Sequence, residues 1–553
     1  MDERRRALPF VLAGALAGVA AADVLIGLNP DLLAPASALR VLAVLGAIGA
    51  ALAAPLAWLR KRPATRASTL LLALLLGLAA AGVEVQRRAT HDFVPGGGRR
   101  VLVAAALALA AGAFLLVFAA GRGAPARPVA AVLVLLLLAP LAGRRAPERA
   151  VLASPEPLAR AARRSLLVIG VEGISWDLLT AFASEGSLPT FARLLSEGAA
   201  GPLASLAPYD RAALWTSAAT GKKPGKHGVV SEFRRVALSG TFRLLPVVPG
   251  LGRLVPPLGT WVREDGARRR SLTFWEILVA RGHESAVLNW PCSAPARDGT
   301  VLWATDRFFA GDDGDDAARP AEAARRARLF RVSPGGLDRP LARALGPDGL
   351  PDGPARRDPP AAAARDLSVV GAALGALPAG PNNVAALVLS GLATAARLFG
   401  GAGDARYWGL AAPEGAEARA RALKAYYRFL DDTLADVLER EGKERTICLF
   451  APVGWGPPTT AEAVVRFVRG RVPGAGPDAS RDGFVLLAGA GVRSGVRLTS
   501  AGVLDLAPTL LVLAGEPLAR DMDGRVLAEA FDERFAEIAS VPVITTFEPG
   551  GPQ

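Results

Sequence analysis

Few residues in this chain have the chemistry of an active site. There are 3 His and 2 Cys among 553 residues. A dinuclear zinc centre built on His and Asp would use nearly all of His91, His227 and His283. Cys292 and Cys448 exclude a disulfide scaffold, a Cys-rich zinc domain and an iron–sulfur protein. Both lie in apolar runs that read as strands, where buried thiols are expected, although a single bridge stays open. The stretch TGKKPGKHG (220–228) offers glycines and lysines, but its spacing is wrong for a P-loop. Among acids, Glu172-Gly173 closes a short apolar run, while Asp23 and Glu84 sit inside or at the ends of long ones. An intramembrane carboxylate is a functional candidate. The alternative is that Glu84 reaches the interface and Asp23 faces a helix bundle.

The elements that would carry these residues divide the chain in two. Apolar residues make up 51% and mean hydropathy is +0.31, which suggests one very apolar part joined to an ordinary one and excludes whole-chain disorder. Apolar runs occupy 7–28, 38–59, 68–85, 101–120 and 128–142. The first four are long enough, or nearly so, to cross a bilayer core. The fifth, at about 22 Å as a helix, is short: it could span a thinned bilayer, lie re-entrant or cover the others. Short Arg-, Pro- and Gly-rich segments separate them, so residues 1–145 are expected to be a bundle of four to five transmembrane helices, and 146–164 a juxtamembrane linker. The net charge of +13 follows from these flanking arginines rather than from a nucleic-acid surface, and no nucleic-acid partner is expected. Arginines fall on both sides of any arrangement. With the N-terminus inside, five crossings put the remainder outside the cytoplasm and four leave it inside. The expected setting is multi-pass in the cell (inner) membrane, with the soluble domain extracytoplasmic.

From about residue 165 the pattern becomes α/β. Ser165–Val171, His283–Trp290, Ala385–Leu389, Thr446–Phe450 and Phe484–Ala488 read as strands. Pro189–Glu197, Trp275–Ala280, Arg421–Leu438 and Leu504–Leu513 read as helices. Alternation of this kind predicts a mostly parallel central sheet flanked by helices over 165–541, with 542–553 as a tail. Residues 297–380 have weak periodicity and read as an insertion or cap. Chemistry in such a sheet belongs at the carboxyl ends of the strands: at Glu172 and after Leu389, Phe450 and Ala488.

At these positions the chain carries VIGVEGISWDLL, SLPTFARLLSEGAAGPL, LWTSAATGKKPGKHGVV, TFWEILVARGHESAVLNWP, YYRFLDDTL, GAGVRSG, DLAPTLLVLAG and DMDGRVL, in that order. It resembles the type I phosphodiesterase/nucleotide pyrophosphatase branch of the alkaline phosphatase superfamily over about 165–530. The resemblance implies an alkaline-phosphatase-like fold. It also implies two divalent metals, usually zinc, held by Asp and His, and a Thr or Ser nucleophile at a helix start.

Carried over position by position, those roles fail. The first ligand, an Asp in the family, is Glu172, whose carboxylate lies roughly 1.5 Å further out, against a tolerance of about 0.2 Å. The nucleophile position is Arg211, with Asp210 beside it; Ser205 and Thr216 are hydroxyls out of register. An Asp-x-x-x-His pair becomes Ala393 and Arg397. An Asp-His-Gly turn becomes Pro452-Val453-Gly454. The last His becomes Ala479 or Ser480. Only Glu172 could still ligate a metal, and no cofactor is expected. His227 survives in a turn to which the resemblance gives no ligand role. A new mononuclear site from Asp210, Glu172 and His227 is the remaining metal alternative.

The leading expectation is a membrane-anchored pseudoenzyme with a binding, regulatory or assembly role toward an anionic ligand or a protein partner. Arg211 and Arg397 would line an anion pocket, or else pair with Asp210, Glu172 or solvent. The alternatives are an active phosphodiesterase or phosphoryl/phosphoglycerol transferase on envelope lipids or glycans with a rebuilt site, and a transporter using the helical bundle.

Overall fold

The computed structural model describes residues 165–207, 209–237, 240–242, 260–295, 302–306, 354–376, 383–403, 416–441, 445–455, 480–532 and 542–548, and scattered positions between 77 and 110. Among the described residues no helix is long and apolar enough to cross a membrane. The runs 7–28, 38–59 and 128–142, with Asp23, lie outside the described residues, as does most of 68–85 and 101–120. Glu84 is described, and its carboxylate accepts hydrogen bonds from Arg87 Nε and Arg88 Nε, both at 2.7 Å. The chain forms two compact bodies: residues 1–149 with 224–264, and residues 150–223 with 265–553.

The second body is built on a nine-stranded sheet. In chain order its strands are β1 (Leu166–Val171), β2 (Ala199–Ala204), β3 (Glu284–Leu288), β4 (Leu302–Ala304), β5 (Asn383–Leu389), β6 (Thr446–Ala451), β7 (Gly483–Ala488), β8 (Val496–Arg497) and β9 (Ala501–Gly502). Their spatial order is β8-β2-β7-β6-β1-β5-β3-β4, with β9 also on β2. β1 runs parallel to both neighbours, with Val171 opposite Leu389 of β5 and Gly170 opposite Phe450 of β6. β7 alone is reversed, antiparallel to β6 and β2. The sheet is thus mixed but mostly parallel. Its central strands are apolar without interruption, because helices cover both faces.

The alternation of β1 shows the two layers. Leu167, Ile169 and Val171 face one core with α1 (Trp176–Ser184), α2 (Pro189–Glu197), α5 (Pro354–Ala376), α6 (Gly391–Gly403) and α7 (Ala416–Glu441). Leu166 and Val168 face the other, with α3 (Arg211–Thr220), α4 (Phe274–Ala280) and α8 (Leu506–Leu513). Gly170 also belongs to this second face. Any side chain there would run into the Trp215 indole of α3, which is buried against Trp290 and Phe450 with ring centroids 5.4 and 5.2 Å away. α4 begins with a capping box. The Thr273 hydroxyl accepts from the Glu276 N–H while the Glu276 carboxylate accepts from the Thr273 N–H.

Two stretches differ from the sequence reading. Residues 354–376, within the expected insertion or cap, form α5, whose Ala363, Leu367, Val370 and Ala373 are core residues. An Ala-rich helix packed along most of its length shows little amphipathic period, and Pro359 and Pro360 lie inside it. Residues 542–548, read as tail, are docked. Val543–Ile544 pairs with Leu518–Ala519, and Glu548 accepts from Lys222 Nζ at 2.8 Å and from the Leu272 N–H at 3.0 Å. Both thiols are buried and unbridged.

Within the first body, Phe233–Ala237 pairs antiparallel with Gly240–Phe242 and with Thr260–Arg263. A short helix, Pro224–His227, precedes that sheet.

Candidate functional site

The turn that leaves β1 is fixed from several elements. Glu172 N–H still donates to Leu389 O of β5 at 2.9 Å. Gly173 then takes φ +82, a left-handed conformation that favours glycine, and a side chain on it would strike the Ala393 backbone of α6. The Gly173 carbonyl accepts from the Trp455 indole at 2.7 Å. Ser175, at the N-cap of α1, donates its N–H to the Tyr427 hydroxyl of α7 at 2.9 Å.

α3 brings Arg211 to this turn. Asp210 is its N-cap, in extended conformation, and accepts from the Ala213 N–H at 3.1 Å. Gly221, at φ +66, ends the helix. Arg211, the first residue of α3, donates from Nε to Glu172 Oε1 at 2.6 Å and from Nη2 to Oε2 at 3.1 Å. This is a fork-on-fork ion pair. The Arg211 side chain is 31% exposed and that of Glu172 13%. Two residues 39 apart in sequence, at the expected nucleophile and first-ligand positions, are therefore bonded to each other. Thr216 is buried and donates to Ala212 O at 2.7 Å within its own helix. Ser205 is held by its N–H on Asp482 Oδ1 at 3.0 Å.

The remaining positions line up on α6 and after β6. Ala393 reaches the site only through its contact with Gly173. Arg397 is exposed one turn further along α6. Among the described residues it makes no hydrogen bond or ion pair with Glu172 or Arg211. Pro452 is buried and Val453 half-buried in the turn after β6. Gly454–Trp455 then pairs with Ser480–Arg481. Ala479 lies outside the described residues. His227 is buried in the first body, its Nδ1 accepting from the Val229 N–H at 3.2 Å. His283 is buried against Glu516 Oε1 at 3.1 Å, and Arg281 Nε holds the other carboxylate oxygen at 2.7 Å. His91 is exposed, with Nε2 at 2.6 Å from Arg99. Of the mononuclear alternative's residues, Glu172 is thus paired with Arg211 and Asp210 caps a helix.

The start of α6 holds a group with no sequence signal. Asp366 of α5, fully buried, accepts from the Ser390 N–H at 3.0 Å, the Gly391 N–H at 3.1 Å and the Tyr426 hydroxyl at 3.1 Å. Burial pushes its carboxyl up to about 7, against the opposing pull of Tyr426 and the two backbone donors. A side chain at Gly391 would collide with Tyr426 and Asp366. Asp366, Trp455 and Tyr427 are thus positioning residues around the strand ends. Of the three, Tyr427 falls in the YYRFLDDTL motif, while Asp366 carries no sequence signal.

The donor set does not fit two metal ions. Ala393, Pro452 and Val453 offer no side-chain donor, Arg397 is a cation, and both oxygens of Glu172 bond Arg211.

The family model for type I phosphodiesterase / nucleotide pyrophosphatase matches residues 166–456. No curated protein matches the sequence. Among solved structures, wild-type alkaline phosphatase PafA is similar at 12% identity, over 68% of this chain and 100% of that one, with a TM-score of 0.43. The phosphonate monoester hydrolase SpPMH from Silicibacter pomeroyi is 15% identical over 66% of this chain and 76% of its own, with a TM-score of 0.37. Murine ectonucleotide pyrophosphatase / phosphodiesterase 5 is 10% identical over 67% of this chain and 100% of its own, with a TM-score of 0.36.

Proposed function

The chain belongs to the type I phosphodiesterase/nucleotide pyrophosphatase family, and on that premise we propose that it is a catalytically silent, membrane-anchored member whose α/β domain binds or regulates rather than hydrolyses. One observation carries the reading. Arg211 and Glu172, at the nucleophile and first metal-ligand positions, are joined as a two-pronged ion pair. A guanidinium there occupies the carboxylate a metal would need and supplies no nucleophile. Hydrolysis in this family rests on metals that stabilise the attacking and leaving oxygens, and the substituted positions on α6 and after β6 cannot restore their ligands. Anchoring is supported by the apolar runs of residues 1–145 and the arginines that flank them.

Thermal unfolding of the full-length chain tests the silent site. The midpoint is expected to stay put on adding zinc chloride or EDTA. A zinc-dependent rise of several degrees, as any ligand specific to the native state produces, overturns the reading.

The exposure of Arg211 favours a second role for the same pair. Its side chain is 31% exposed beside the strand ends, where a phosphate or carboxylate would compete with Glu172 for the guanidinium. Millimolar phosphate should then protect the chain against heat, and Arg211→Ala should abolish the protection. Absence of protection in the parent chain rejects the anion pocket while leaving the silent site standing.

A further inference from the structure

We infer that Asp366 is a proton-operated clasp on the corner of the α/β domain that carries Glu172: with its proton it ties α5 to α6 and α7, and on ionising it loosens that corner while the rest of the sheet stays closed.

Three helices build the clasp. From α5, Asp366 reaches the start of α6, where it takes the Ser390 N–H at 3.0 Å and the Gly391 N–H at 3.1 Å, and it takes the Tyr426 hydroxyl of α7 at 3.1 Å. A helix start leaves such amides without backbone partners. Two routes join the clasp to the Glu172 turn. Along the chain, Leu389 precedes Ser390 and accepts from the Glu172 N–H at 2.9 Å, while Ala393 follows and lies against Gly173. Across α7, Tyr427 is the neighbour of Tyr426, and its hydroxyl accepts from the Ser175 N–H at 2.9 Å. Both tyrosines are buried. The bonds on either side of Glu172 therefore end on the same residues, or their immediate neighbours, that hold Asp366.

A proton decides how firmly the clasp holds. Among the described residues, the titratable and charged groups that act on Asp366 are Tyr426 of α7 and the exposed Arg365 beside it on α5; from α6 and the end of β5 it meets backbone N–H. β3 and β5 face α5 with Ala286, Leu288, Ala385 and Leu387. Burial outweighs these donors and pushes the carboxyl from its usual 3.8 up to about 7. Burial and Asp366 also raise the Tyr426 hydroxyl well above its usual range, so it stays a donor throughout. Opening the corner returns Asp366 to water and to its ordinary acidity. The closed corner thus keeps a proton that the open one releases above pH of about 4. Opening becomes easier by about tenfold per pH unit from there and levels off above about 7. Such sub-global openings precede unfolding of a whole domain.

Hydrogen exchange of the full-length protein, read by mass spectrometry between about pH 5 and 8 and corrected for the intrinsic amide rate, tests this. In the parent, exchange of segments 172–176 and 389–393 is expected to rise together by about 100-fold from about pH 5 to 7 and then level, ahead of the β7 amides. Asp366→Asn keeps an acceptor but does not titrate, so the same segments should show no such rise. Tyr426→Phe removes a donor that favours the ionised carboxylate, so its rise should continue past the pH at which the parent levels, and this variant carries the test if Asp366→Asn does not fold. Parent and Asp366→Asn in parallel, or Tyr426→Phe levelling with the parent, overturns the proton-operated clasp. A response at 389–393 without one at 172–176 overturns its link to Glu172. Corner and β7 exchanging alike at every pH means that the domain opens only as a whole, and overturns the local device.

Discussion

Arg211 and Glu172 hold each other in a two-pronged ion pair. The carboxylate is mostly buried and the guanidinium partly exposed, so the pair falls between a surface ion pair, which contributes little, and a buried one, whose halves cannot be separated cheaply. Arg211→Ala leaves Glu172 without its fork partner and should destabilise the chain by about 1–2 kcal/mol. Adding Glu172→Ala should recover most of that loss. A double variant as unstable as the sum of the two singles, in urea unfolding, would show that the two residues do not act as a pair. Asp366 gives a pH signature. Its folded-state carboxyl titrates near 7, above the ordinary 3.8, chiefly through burial. The folded chain therefore holds that proton more tightly than the unfolded one. The contribution of Asp366 is fully present below pH of about 4 and is lost as pH rises through about 7, a change on the order of 4 kcal/mol. Asp366→Asn keeps an acceptor for Ser390 and Gly391 but does not titrate, so its stability should be flatter than that of the parent between those limits. An unchanged slope contradicts the assignment. The pairing of Arg211 with Glu172 is one of the alternatives the sequence leaves open, whereas the partners of Asp366 have no sequence signal. Sequence places Glu172 and Arg211 at the expected first-ligand and nucleophile positions, and the turn at Gly173 and the N-cap at Asp210 bring them together.

β1 and α3 show what holds the scaffold around Arg211 and Glu172. Gly170 sits beneath the Trp215 indole, which closes the core between sheet and helix. Gly170→Ala should cost about 1–3 kcal/mol by overpacking, and Trp215→Phe in the same chain should relieve part of it. No relief in thermal unfolding would mean that the clash lies elsewhere. The central strands were legible because burial on both faces makes them short, continuous apolar runs. α2 was legible to the residue, from its proline at the first position and Gly198 after its end. β2 (AAGPLA) was not. Its Gly201 lies against the Leu498 backbone and its Pro202 opposite Phe484, so packing rather than propensity makes it a strand. α5 was hidden for a related reason, since alanines buried against β5 and β3 erase the polar face that periodicity needs.

At the scale of the whole molecule, the family fold and the strand ends were readable from the order of motifs, whereas the association of 224–264 with the N-terminal region was not. Nothing in local sequence links Gly225 to Asp92; a long-range backbone bond does. In the α/β domain, the positions where the resemblance puts metal ligands carry Ala393, Pro452, Val453 and a Glu172 bonded to Arg211. The most direct measurement is the metal content of the purified full-length chain by elemental analysis. Turnover of bis-p-nitrophenyl phosphate would be followed on the same sample with zinc, manganese or calcium. A silent site predicts metal well below one ion per chain, and turnover no higher than that of the Glu172→Ala/Arg211→Ala variant. Stoichiometric metal, with turnover that the double variant abolishes, would contradict it.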